Sequence, residues 1–103
     1  MAKYCYVTEY KEMAKVQGSK EDMAAPQEPE ITTQKLDFTA GAAASLAFNE
    51  QTRIIRVHPD SICSFLVSTA GTAATISNKR ITAGATEYFG VNPGDKLSAI
   101  ANT

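Results

Sequence analysis

The residues able to do chemistry in this chain are few and scattered. The single histidine, His58, stands in His58-Pro59-Asp60, two positions from a carboxylate that could complete an acid–base pair. Such a pair needs a nucleophile or second base within hydrogen-bond reach, and a metal site mixing thiolates and imidazoles needs more histidines than this one. Asp60 reads more simply as a turn former acting through its side-chain oxygen after Pro59. Cys63 is a nucleophile by type, yet in Cys63-Ser64-Phe65-Leu66-Val67 it alternates with Phe65 and Val67, the position of a small buried hydrophobe rather than an activated thiolate. Cys5 and Cys63 can form one disulfide, but two cysteines are no disulfide framework, and two reduced thiols made in a cytoplasm are the simpler expectation. Ser77-Asn78-Lys79-Arg80 and Gly84-Ala85-Thr86 have the composition of phosphate loops. No glycine-rich turn leads from a strand into a helix, so a solvated turn is expected instead. No catalytic, cofactor-binding or metal-binding residue is assigned, and binding or building is expected rather than enzymatic activity.

Residues suited to a protein partner are easier to name. Arg53 and Arg56 fall on opposite faces of a regular strand, so they form no basic stripe, but each can fork onto a carboxylate at an interface. Tyr4, Tyr6, Tyr10 and Tyr88 each combine a large ring with a polar tip, which suits an interface as well as the rim of the chain's own core. With Val7 as an apolar anchor, these seven residues are the candidate partner-binding set.

Size and charge narrow the field. The chain has 103 residues, 10 lysines and arginines and 11 acids, a formal charge of -1. A single domain of this size buries about two thirds of its unfolded surface. No global field draws it to nucleic acid or an anionic membrane. Its apolar runs are far shorter than the roughly 20 residues that span a bilayer, and no apolar stretch of a secretion signal follows Lys3. A soluble protein without nucleic-acid, membrane or small-molecule substrate partners is expected.

The elements that must position these residues divide the chain in two. Residues 1–30 read as an N-terminal arm and linker. Tyr4 to Tyr10 suits an extended segment, although Tyr6, Tyr10 and Met13 also share one helix face, and Gly18-Ser19-Lys20-Glu21-Asp22 followed by Pro26 and Pro29 reads as linker. Residues 31–103 read as a β-sandwich of about seven short strands, a density that fits a sandwich or jelly roll. Expected strands carry Leu36 and Phe38, Leu46 and Phe48, Ile55 and Val57, Cys63 to Val67, Arg80 to Ala83, Phe89 and Val91, and Leu97 and Ala99. Residues 69–75 read as a long connection. Asn92-Pro93-Gly94-Asp95 predicts a type II turn, with Pro at its first central position and Gly at its second. Ile54, Ile62, Leu66 and Tyr88 make several strands apolar on both faces, so a further cover is expected over the outer surface from the arm, a sister subunit or a larger shell.

Several short motifs carry a resemblance. Tyr6-Val7-Thr8-Glu9-Tyr10, Gln27-Glu28-Pro29 before Thr32-Thr33-Gln34, Thr52-Arg53-Ile54-Ile55-Arg56-Val57-His58 with Asp60 and Cys63, Ala83-Gly84 with Glu87-Tyr88-Phe89, and Asn102-Thr103 together resemble small proteins encoded in the head modules of tailed bacteriophages. The similarity spans nearly the whole chain. It implies a jelly-roll virion component on the capsid surface, a decoration or cement protein that bridges neighbouring major capsid proteins as a homo-oligomer, dimer or trimer. The resemblance carries no catalytic residue. A low-copy neck or tail adaptor, and a small carbohydrate-binding sandwich presenting Tyr88, are the competing expectations.

Overall fold

The computed structural model describes residues 2–15, 18 and 22–102, with the side chains of all but 22–24. The chain is all-β, and among the described residues there is no helix. The ten strands among the described residues are β1 (Tyr4–Tyr10), β2 (Met13–Lys15), β3 (Asp22–Pro26), β4 (Thr32–Asp37), β5 (Ala43–Ala44), β6 (Ile54–Pro59), β7 (Cys63–Ser68), β8 (Lys79–Ile81), β9 (Glu87–Gly90) and β10 (Lys96–Ala101). They form an antiparallel sheet ordered β4-β1-β6-β9, a second ordered β5-β10-β7-β8, and the separate pair β2-β3. The two larger sheets contribute to one apolar core, an arrangement compatible with a β-sandwich.

Period-two alternation builds that core. Cys5 and Val7 of β1, Leu36 of β4, and Ile55 and Val57 of β6 face inward from the first sheet. Cys63 and Phe65 of β7, Ile81 of β8, and Leu97 and Ala99 of β10 face them from the second. The rings of Phe65 and Phe89 meet edge to face across the core, 5.2 Å between centroids and 62° between planes, a geometry worth about 1 kcal/mol beyond burial. The expected turn is present: Gly94 has φ 84°, and the Asp95 N–H donates to the Asn92 carbonyl at 3.2 Å.

The expected arm is corrected by β1. Residues 4–10 occupy the centre of the first sheet, paired with β4 on one side and β6 on the other. The physical reason is the alternation of Cys5 and Val7, both fully buried, against tyrosines and a threonine on the opposite face. Beyond Tyr10 the ribbon continues outside both large sheets: the Gln27 N–H donates to the Glu12 carbonyl, and β2 pairs with β3. The independent part of the arm therefore shrinks to this hairpin. Ser19, Lys20 and Glu21 of the expected linker, like Thr103 of the resemblance, lie outside the described residues.

A second correction concerns Leu46 and Phe48, which lie on no strand. Leu46 is 79 % exposed and Phe48 is buried. The segment runs beside β10 through mixed bonds, Ser45 N–H to Leu97 carbonyl, Leu97 N–H to Ser45 Oγ and Phe48 N–H to Asp95 carbonyl, because Ser45 substitutes its hydroxyl for a backbone acceptor.

Glu9 faces inward with Cys5 and Val7 and is 1 % exposed. Its Oε1 accepts from the Asn49 N–H and the Thr52 hydroxyl, each at 2.8 Å, and its Oε2 from Gln34 Nε2 at 2.9 Å. Gln34 is itself fixed to the Leu46 backbone: its Oε1 accepts from the Leu46 N–H at 2.8 Å and its Nε2 donates to the Leu46 carbonyl at 3.3 Å. One carboxylate thus ties residues 45–52 to the first sheet, and charged acceptors give the stronger hydrogen bonds.

Part of the outer face of the second sheet is covered by the chain itself. Residues 69–78 cross it, with the Ala74 N–H donating to Ser98 Oγ at 2.9 Å. Asn102 Nδ2 donates to Ser64 Oγ at 2.7 Å and to the Ile76 carbonyl at 3.2 Å. Ser64 and Ser98, outward-facing by register, are consequently buried. Part of the cover expected from a partner is this connection.

Candidate partner-binding face

The outer face of the first sheet collects most of the expected partner-binding residues. Tyr4, Tyr6 and Tyr10 point outward from β1, Arg56 from β6 and Tyr88 from β9, since paired residues share a face. The register sets them in rows. Tyr6 lies between Lys35 of β4 and His58 of β6. Thr8 lies between Thr33 and Arg56, and Arg56 pairs with Tyr88. Five of the seven expected residues thus come together on one surface.

Their contacts leave the surface partly organised and partly open. Lys35 Nζ lies 4.0 Å from the Tyr4 ring centroid and 5.8 Å from that of Tyr6, so one ammonium bridges two aromatic faces. Arg56 Nη2 makes a long 3.5 Å bond to Thr86 Oγ1, and His58 Nδ1 shares that hydroxyl at 2.8 Å. Most of the five N–H donors of the half-buried Arg56 guanidinium therefore stay available for an incoming carboxylate or carbonyl. Tyr88 is 52 % exposed beside it. The Thr8 and Thr33 hydroxyls are 3.1 Å apart, and Thr33 donates to Glu30 Oε2.

Tyr10 sits at the margin of this face and is buried. Its hydroxyl donates to Glu28 Oε2 at 2.9 Å. Burial, that donated bond and the negative charge of Glu28 push its phenol up to about 12. Tyr10 thus fastens the return of the ribbon to the sheet. At the other margin, the Asp37 carboxyl is held below its usual range by the hydroxyl and amide of Thr39.

Two expected residues are not brought to the face. Val7 is fully buried and packs in the core, because its position in the alternation is the same as that of Cys5. Arg53 is exposed at the end of the sheet, where its Nη1 donates to the carbonyls of Glu50 at 3.4 Å and Thr52 at 3.3 Å. It lines a shallow groove of about 300 Å³ with Lys11, Glu12, Glu50 and Gln51. The two arginines serve different places, as opposite strand faces require.

Sequence reasoning left Lys35, Thr8, Thr33 and Thr86 out of this surface. Lys35 alternates with Leu36 and so had a signal for facing outward, but its meeting with Tyr4 and Tyr6 depends on a register that pairs β1 with β4. His58 joins the face through Thr86, and Asp60 acts across the sheet: the Tyr4 N–H donates to its Oδ1 at 2.8 Å and its own N–H to the Tyr4 carbonyl at 2.9 Å. Among the described residues no three His, Cys, Asp or Glu side chains cluster as metal ligands. No protein-family model, curated protein or solved structure matches the chain.

Proposed function

We propose that this protein is a structural component of a bacteriophage virion, a jelly-roll-like sandwich that decorates and cements the capsid by bridging neighbouring major capsid proteins. Its work is binding rather than catalysis. The observation carrying this reading is the outer face of the first sheet, where Tyr4 and Tyr6 flank Lys35 and Arg56 pairs with Tyr88. Aromatic and arginine side chains are the residue types that anchor protein interfaces. The resemblance of the short motifs to head-module proteins of tailed phages is the reason for naming the major capsid protein as partner.

Four strands about 4.8 Å apart and six residues of about 3.3 Å give a patch of roughly 300 Å². A stable interface takes about 800 Å² from each partner. The face alone falls short, so the β2-β3 hairpin and a second contact on an adjacent capsid subunit or sister molecule complete it. Once one contact forms, the next is intramolecular, which favours a repeating shell and a dimeric or trimeric cement.

The test is occupancy on purified shells lacking the protein, measured by quantitative gel staining for the wild type and an Arg56→Ala/Tyr88→Ala double variant. Hundreds of copies for the wild type and a loss of tenfold or more for the variant are expected. Unchanged occupancy of a folded variant overturns the reading. About a dozen copies indicates a neck or tail adaptor instead. The exposed Tyr88 ring favours one other reading, carbohydrate binding, which saturable glycan binding abolished by Tyr88→Ala would establish.

A further inference from the structure

Cys5 and Cys63 belong to different sheets and face the same core. Cys5 lies on β1 and Cys63 opens β7, both side chains are 0 % exposed, and both thiols are free. The topology enforces this placement. Cys5 pairs with Pro59 at the end of β6, and the chain turns from the first sheet to the second between Pro59 and Cys63. That corner is held by the reciprocal bonds between Tyr4 and Asp60 and by the Asn102 N–H donating to the Ile62 carbonyl at 3.1 Å. Within this frame both side chains belong to the same buried core cluster, facing it from opposite sheets at one corner. Two small apolar side chains would fill the space equally well, whereas two thiols facing one core at the same corner have a covalent alternative.

We propose that Cys5 and Cys63 are an oxidation site, at which a disulfide oxidant of the glutathione class forms one bond that joins the two sheets. Either thiolate can attack once the sandwich opens; with Cys63 first, Cys5 is the resolving sulfur. The Cys63 thiolate attacks the oxidant's S–S bond, forming a mixed disulfide and releasing one glutathione thiol. Cys5 then loses its proton to solvent and displaces the second glutathione from Cys63. Two S–H bonds are lost and one S–S bond is gained, and the two electrons reduce glutathione disulfide to two glutathione thiols. Both sulfurs are buried, so attack passes through opening of the sandwich, and the reaction accelerates with denaturant. A chain folded with reduced thiols in a cytoplasm would thus acquire a cross-link after release into an oxidising medium, whatever its outer face binds.

The test incubates the reduced protein with glutathione disulfide at its urea midpoint, removes the urea and reads thiol titration, intact mass, a non-reducing peptide map and the urea midpoint. Loss of both thiols is expected, with a peptide pair linked through Cys5 and Cys63, no retained glutathione and a raised midpoint that dithiothreitol reverses. The single variants Cys5→Ala and Cys63→Ala should retain a glutathione adduct and show no such rise. Both thiols persisting, a stable glutathione adduct on the wild type, or linkage between chains overturns the proposal. The wild-type peptide map decides the matter even where a variant fails to fold.

Discussion

Replacing Glu9 tests whether one buried carboxylate holds residues 45–52 against the first sheet. Glu9→Ala removes the acceptor for three donors, the Asn49 amide, the Thr52 hydroxyl and Gln34 Nε2. Each bond to a charged acceptor contributes about 1.5–3 kcal/mol, and each buried donor left unpaired costs about 1–3 kcal/mol. Desolvation of the carboxylate, about several kcal/mol, is relieved at the same time. A net loss of about 4 kcal/mol is expected. Glu9→Gln keeps one oxygen for Asn49 and Thr52 but turns an amide NH₂ toward the NH₂ of Gln34, which its two bonds to Leu46 prevent from flipping. Its loss should be about 2 kcal/mol. Urea denaturation reads both: with a slope near 2 kcal/mol per molar, the midpoints fall by about 2 M and about 1 M. A double-mutant cycle with Thr52→Val should give a coupling of about 1–2 kcal/mol, since Thr52 is fully buried against the same oxygen. A loss below about 1 kcal/mol for Glu9→Ala, or additivity of the pair within about 0.5 kcal/mol, would refute the reasoning.

Three further outcomes are expected. The raised phenol of Tyr10 favours the protonated form in the folded state, so its contribution is complete below the unfolded value of about 10. It is lost as pH climbs through about 12, so urea titrations over that window should decline more steeply for the wild type than for Tyr10→Phe. Ser98→Ala strands the buried Ala74 amide; it should cost about 1–2 kcal/mol, and hydrogen exchange should speed up across residues 72–76. Replacing residues 13–26 by Asn-Gly, where Glu12 and Gln27 are already bonded, should leave stability within about 1 kcal/mol while lowering shell occupancy, whereas deleting residues 1–30 should abolish folding because β1 is lost.

Strands whose alternation is unbroken were legible in the sequence. Ile55 and Val57, Cys63 and Phe65, and Leu97 and Ala99 all face inward as their spacing dictates, and Asn92-Pro93-Gly94-Asp95 turns as its residue types require. Leu46 and Phe48 alternate equally well, yet only Phe48 is buried, because burial there follows the backbone path beside β10 rather than a regular pleat. The place of β1 was hidden for a different reason: Glu9 interrupts its apolar face, and a charged residue is read as solvated unless its donors, from residues 34, 49 and 52, are known. The candidate face was half legible. Each tyrosine and arginine was visible by type, but only the pairing of β1 with β4 and β6, and of β6 with β9, sets them side by side. The placement of the two cysteines in one core is likewise a product of topology.

The central place of β1 also sets an order of events at the ribosome. β1 is synthesised before both its partners: β4 follows within one ribbon, but the other edge of β1 waits for β6, which ends at Pro59. Translation from Asp37 to Pro59 takes about one to four seconds at roughly 5–20 residues per second. During that interval β1, with Cys5 and Val7, has one edge bare and no facing sheet, and bare apolar edges recruit strands from other chains. Yield should therefore fall as expression is driven faster, and slower synthesis at low temperature should recover it.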